Sequence, residues 1–242
     1  MRRIAIAAIL FASLTGAVHA QPFPQGEGSE VKAPPNPCSD EVAASLRKLR
    51  NSSWFSMNSN MITENGPTTM VVDYILPDRM HQKITNDLTK KSSEIILIGR
   101  EAWSRQGEVS WKQLPANVAA QLQTQMDETV LREQKDVGAY TCNGRIKLDG
   151  RDVMSYRLES ELAKGETVKN QTYRMFYVDV MTGLPVSNAL LVPGRDDKPI
   201  FKTSYSFPLD LKIEPPKDIA PAAPAASPAP APAQGATSDT GK

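Results

Sequence analysis

WFSMNSNMITENGPTTMVVDYILPDRMHQKIT, residues 54–85, decides the fold. Apolar and polar residues alternate through it with a period of two, and the run is interrupted at Asn65-Gly66 and again at Pro77. It therefore reads as three strands joined by tight turns. Phe55, Met57 and Met61 share one face of the first strand. Met70, Val72, Tyr74 and Leu76 do so in the second, and Met80 with Ile84 in the third. Opposite them lie Ser56, Asn58, Asn60, Asp73, Arg79, His81 and Lys83. Such strands build an antiparallel sheet with an apolar inner face and a wet outer one.

The same pattern continues outward from this stretch. EIILI and the AWSRQGEVSW hairpin complete an early meander. After residue 139, YTCNGRIKL, DVMSYRLES, QTYRMFYVDV, LPVSNALLV and PIFKTSYSF follow, with Asp149-Gly150 and Thr182-Gly183 as turns. Two helices punctuate the strands. Ser39-Asp40 before EVAASLRKLR predicts a capped helix from about Asp40 to Arg50, with Val42, Leu46 and Leu49 on its apolar face. Pro115 opens the second, in which Val118, Leu122, Met126 and Val130 recur at four-residue steps, leaving Gln121, Gln125 and Asp127 outside. About ten consecutive strands with short links predict pairing in sequence order. At ~4.8 Å per strand the flat sheet would be about 45–50 Å wide, and sheets that wide curl. The fold class is α+β, mostly β: a strongly curled antiparallel sheet, a half-open barrel, with two main helices in or over its concave face.

The ends read differently. MRRIAIAAILFASLTGAVHA has a basic start, an apolar run and a small-residue close, the pattern of a secretory signal peptide at 1–20, cleaved after Ala20. Proline clusters flank the core, five in the arm at 21–37 and seven in the Pro/Ala-rich tail at 215–242, leaving one domain at 38–214. The tail, with nothing large to bury, is expected to be disordered and extended. Export implies the periplasm, no stable membrane insertion after cleavage, and an oxidising compartment in which Cys38 and Cys142 pair. The formal charge is only +1, so neither nucleic-acid binding nor an acidic solvating role is indicated.

No catalytic signature emerges. The mature chain keeps one histidine, His81, on a face that reads as solvated, which supports neither a zinc site nor a Ser-His-Asp triad. Glu159 with Glu161, and Asp196 with Asp197, sit at strand ends and turns, where acidic residues are usual. Trp54, Trp103 and Trp111 could line a sugar site, but core or sheet-face packing is the more usual use of three scattered tryptophans. The methionines of the strands, with Met126 on the second helix, suit either a wall that accepts variable apolar ligands or ordinary gap filling. No metal or cofactor is implied, and the chain is read as non-enzymatic.

YILPDRMHQKIT, EIILIGREAWSRQGEVSWKQLP, LDGRDVMSYRLE and YVDVMTGLPVSNALL carry a resemblance to the LolA/LppX-like family of periplasmic lipoprotein and lipid carriers. It covers roughly residues 38–214 and rests on turns and strands rather than catalytic residues. What it implies is a half-open barrel whose apolar groove holds acyl chains between sheet and helix. On that implication the ligand-binding set is Phe55, Met57, Met61, Met70, Val72, Tyr74, Met80 and Ile84 from the strands, with Val118, Leu122 and Met126 from a lid helix. The expected partner is a lipid or other apolar small molecule bound by a monomer. The alternative is an envelope sensor module that binds a protein partner.

Overall fold

The computed structural model describes residues 36–133, 136–159 and 172–221. The expected signal peptide, residues 21–35 of the arm and residues 222–242 of the tail lie outside the described residues.

Helix α1 spans Pro37–Arg50, starting three residues before the predicted Asp40. The difference lies in the cap: Asn36, not Ser39 or Asp40, accepts the backbone N–H groups of Cys38 and Ser39, and Pro37 fills the first helical position. Strands β1 (Trp54–Thr63), β2 (Gly66–Ile75), β3 (Arg79–Asn86), β4 (Ser92–Ile98), β5 (Glu101–Gln106) and β6 (Lys112–Gln113) follow. Helix α2 (Ala116–Met126) continues through a wider π turn at Asp127–Leu131. The second meander comprises β7 (Thr141–Leu148), β8 (Arg151–Glu159), β9 (Tyr173–Asp179), β10 (Pro185–Leu191) and β11 (Phe201–Ser206).

All eleven strands form one antiparallel sheet that curls without closing into a barrel, ordered β6-β5-β4-β3-β2-β1-β11-β10-β9-β8-β7. Pairing in sequence order therefore holds within each meander and fails between them. The first meander runs outward from β1 and the second returns to it, so β11 pairs with β1, Met57 facing Tyr205. The outermost strands are β6 and β7, and the chain crosses between them through α2. Local turn chemistry fixes the registers. Asp149 and Gly150 both take positive φ, forming the two-residue β7–β8 turn between Leu148 and Arg151. In the β1–β2 hairpin the loop is Glu64-Asn65, and Gly66, at φ +101°, already opens the strand opposite Thr63.

Both helices lie on the inner face. α2 packs on β4 and β5, and α1 on β7, β9 and β10. Val42 of α1 is buried among Tyr140, Tyr156, Phe176 and Val178, and Tyr156 donates a hydrogen bond to Glu41. A disulfide joins Cys38 to Cys142, 104 residues apart, tying the start of α1 to the edge strand β7.

Two sequence readings of the outer face need correction. His81 is not on a merely solvated surface: its Nε2 lies 3.1 Å from Glu94 Oε2, and Glu94 is only 4% exposed. Arg105 donates to Glu94 at 2.9 Å and stacks over Trp111, while Lys83 stands 3.4 Å away. Burial opposes the Glu94 charge, yet hydrogen bonding with His81 and Arg105 and the charges of Arg105 and Lys83 hold its carboxyl below the usual range. Second, residues 215–221 belong to the fold rather than to a free tail. Ile213 is buried with Ile96, Trp103 and Trp111, and Arg79 donates to its carbonyl. Beyond it, Trp111 donates to Asp218 and accepts from Ala220 through backbone hydrogen bonds. Pro215 and Pro216 lead through a bend at Lys217 into this backbone contact with Trp111, which asks no N–H of either proline.

Candidate functional site

The inner face does not pack solid. A cavity of about 440 Å³ lies under α1, walled by Leu46, Leu49 and Arg50 of that helix and by Phe55 and Met57 of β1. Thr129 and Val130 of the π turn, Val137, Tyr140 and Leu158 extend the wall. Arg174, Phe176, Asn188 and Tyr205 of β9, β10 and β11 complete it. A second cavity of about 250 Å³ lies beneath α2, between Met70, Val72, Tyr74, Met80 and Gln82 of the sheet and Leu122, Gln125 and Met126 of the helix. Met57 and Thr129 line both, so the two adjoin.

Strand alternation accounts for this arrangement. Phe55 and Met57 sit two residues apart on β1, and their cross-strand partners Tyr74 and Val72 share their face. On β9, Arg174 and Phe176 point to the inner side, whereas Tyr173 and Met175 pack with Ala189 and Leu191 in a separate outer cluster. Farther along the same inner row comes a small polar pair, Ser59 and Thr203, with hydroxyls 2.7 Å apart and fully enclosed.

Seven of the eleven residues assigned to ligand binding, Met57, Met70, Val72, Tyr74, Met80, Leu122 and Met126, meet around the second cavity. Phe55 joins Met57 at the larger one. Met61, Ile84 and Val118 line neither. The helix face differs from the four-residue stripe expected of it. Ala119, 1% exposed, is buried where Val118 is half-buried, and Gln125, exposed as expected, also borders the cavity. At 3.6 residues per turn the face meeting β4 and β5 is Ala119, Leu122 and Met126, and the small side chain at 119 lets the helix approach the sheet.

Sequence reasoning missed the α1 wall and the far strands. Leu46 and Leu49 were legible as that helix's apolar face, but nothing said it faces a cavity. Arg174 carried a signal: it shares strand parity with Phe176 and Val178, so it is a cation on an otherwise apolar face. Its Nη1 donates to Asn188 Oδ1 at 3.4 Å. The phenols nearby resist ionisation. Burial pushes Tyr205 up to about 12 and, with Tyr205 beside it, Tyr74 also to about 12. Burial likewise raises Tyr140, against the charge of Arg174. Among the described residues no three His, Cys, Asp or Glu side chains converge as a metal site, and no helix is long and apolar enough to cross a membrane. What these cavities can do chemically is hold an apolar body beside a few polar groups.

No family model and no curated protein sequence matches the chain. Solved structures do. The Mycobacterium tuberculosis lipoprotein LppX superposes with a TM-score of 0.51 at 12% identity, covering 74% of this chain and 98% of its own. LprF from Mycobacterium bovis gives a TM-score of 0.47 at 10% identity, over 76% and 98% of the two chains. A LolA superfamily protein of Nitrosomonas europaea gives 0.25 at 12% identity, over 70% and 91%. The superposition on LppX shows an LppX-like fold.

Proposed function

We propose that this LolA/LppX-like half-barrel is a non-enzymatic binding protein of the bacterial envelope that holds a lipid or another long apolar ligand between its curled sheet and its helices. The observation that carries this reading is the pair of adjoining cavities left on the inner face, about 440 and 250 Å³: the smaller is walled mainly by methionine, aliphatic and aromatic side chains, and the larger combines such side chains with Arg50, Arg174, Asn188 and Thr129. Ligand pockets commonly occupy ~300–1,000 Å³ and are apolar with a few placed polar groups. The family that the sequence resembles holds acyl chains at this place in the fold. Burying about ten methylenes at ~0.8 kcal/mol each contributes roughly 8 kcal/mol before the costs of association, enough for useful affinity without a specific polar contact. Flexible Met57, Met70, Met80 and Met126 side chains suit a wall that adapts to its occupant. Export by residues 1–20, release into the periplasm and action as a monomer complete the proposal.

The test uses delipidated protein and the neutral dye Nile red. Saturable fluorescence enhancement, competed by long-chain lipids, is expected. Met57→Trp, which fills the junction of the two cavities, should abolish it while leaving the melting temperature near that of the wild type. Absence of saturable binding, or undiminished binding in Met57→Trp, would remove the cavities from consideration. A protein partner captured by cross-linking in the periplasm, with no lipid bound, would favour the sensor reading instead.

A further inference from the structure

Among the described residues, the larger cavity is lined by two arginines, Arg50 and Arg174, and by no carboxylate. Tyr140 and Tyr205 stand beside them and stay neutral at physiological pH, because burial raises both phenols. The formal charge of the wall is therefore positive. Arg50 has a counter-charge nearby, since Glu133 lies 3.9 Å away. Glu133, however, is 60% exposed and shared with Arg47, so it is a solvated partner at the rim. Arg174 makes no ion pair among the described residues, and its one hydrogen bond there is the long contact to Asn188. A half-buried guanidinium in an apolar wall loses hydration without recovering it from a carboxylate. Its planar fork of donors suits a carboxylate or phosphate. Away from Arg174 the wall turns apolar through Phe55 and Met57, and Met57 leads into the second cavity. The charge thus sits in one compartment and the other is a place for an aliphatic chain.

Resting on the reading of these cavities as a ligand site, we propose that the bound molecule is an anionic amphiphile, an acyl lipid whose carboxylate or phosphate head pairs with Arg174 beside Asn188 and Tyr205 while its chain passes Met57 toward Met70 and Met126. Arg50 supplies a second cation on the same wall. The ligand completes the ion pair that the protein leaves open, so the head sets orientation and the chain supplies most of the affinity.

Displacement of Nile red from the full mature chain by dodecanoate, dodecyl phosphate and dodecanol tests this, because the three share a chain and differ in the head. The wild type is expected to bind at least one anion about tenfold more tightly than the alcohol, as a charge-assisted hydrogen bond implies. Whichever anion binds better names the head. Arg174→Gln should bring anion and alcohol to similar affinity, with dodecanol itself little changed, and Arg174→Lys should restore much of the preference. Equal binding of all three by the wild type would overturn the anionic head while leaving the apolar site intact. A preference that persists in Arg174→Gln would also overturn it, by placing the anion elsewhere. Failure of all three to displace the dye would instead count against the cavities as a lipid site. The wild-type comparison decides whether the head is anionic even if Arg174→Gln does not fold, and Arg174→Met then takes its place in locating the head.

Discussion

Truncating Met126 to alanine separates the two duties that its position combines. Its side chain is 2% exposed and packs in the cluster of Val72, Tyr74, Met80, Leu97, Ala102 and Ala119. It also borders the 250 Å³ cavity. Met126→Ala removes three heavy atoms, and at ~0.8 kcal/mol per buried methylene the lost transfer energy is roughly 2 kcal/mol. The space left behind joins an existing void, so α2 gains nothing by moving into it, and a cavity contribution of about 1–2 kcal/mol adds to the loss. The expected total is about 3–4 kcal/mol, which for a domain of this size lowers the melting temperature by roughly 6–15 °C. Leu122→Ala, at a half-buried site on the same cavity, should cost about 1 kcal/mol. Urea unfolding of delipidated protein measures both, followed by tryptophan fluorescence and circular dichroism. Delipidation matters because a ligand at one hundred times its dissociation constant stabilises by about 2.7 kcal/mol and would mask the difference. A loss below about 1 kcal/mol for Met126→Ala would show that α2 is not docked on the sheet, and the description of the second cavity would fall with it.

Other outcomes follow from the periphery. Reducing the Cys38–Cys142 disulfide, which spans 104 residues, should cost up to about 4–5 kcal/mol by the chain-entropy argument and lower the melting temperature by roughly 10–15 °C. Two titratable thiols in the native, non-reduced protein would contradict the pairing. Glu94→Gln should cost about 2 kcal/mol at neutral pH, since it withdraws the carboxylate that Arg105, His81 and Lys83 share. Because the folded-state pKa of Glu94 is depressed, its contribution is fully present above the unfolded-state value and is lost as pH falls through the lowered folded-state value. Wild type and variant should therefore converge in stability under acid, and a gap that stays constant from neutral pH to pH 3 would refute the linkage.

Much of this architecture was written in local pattern. Period-two alternation located β1 to β3 and their inward residues because each strand buries one face. Asp149-Gly150 specified its turn because both residues adopt a positive φ that few others tolerate. What escaped depends on contacts distant in sequence. The β1–β11 seam pairs Ser56 with Ser206, and no property of either strand alone distinguishes that neighbour from another. Trp111 and Ile213 converge from different parts of the chain to cover the outer face, and the prolines after Glu214 imitate the start of a free tail. The face of α2 was misplaced by one position, since Val118 fits an apolar stripe as well as Ala119 does until the sheet demands close approach. The candidate site was half legible for the same reason. Its methionine wall lies on strands with clean alternation, whereas its polar end is built from Arg50, Arg174, Asn188 and Tyr205 on four separate elements.

Native mass spectrometry of the mature protein purified without detergent from a bacterial envelope tests the central claim most directly. The claim predicts discrete adducts of lipid mass that survive desalting, disappear on organic extraction and fail to accumulate on Met57→Trp. A reproducibly bare chain at its sequence mass, or adducts carried equally by Met57→Trp, would contradict a ligand site between the curled sheet and its helices.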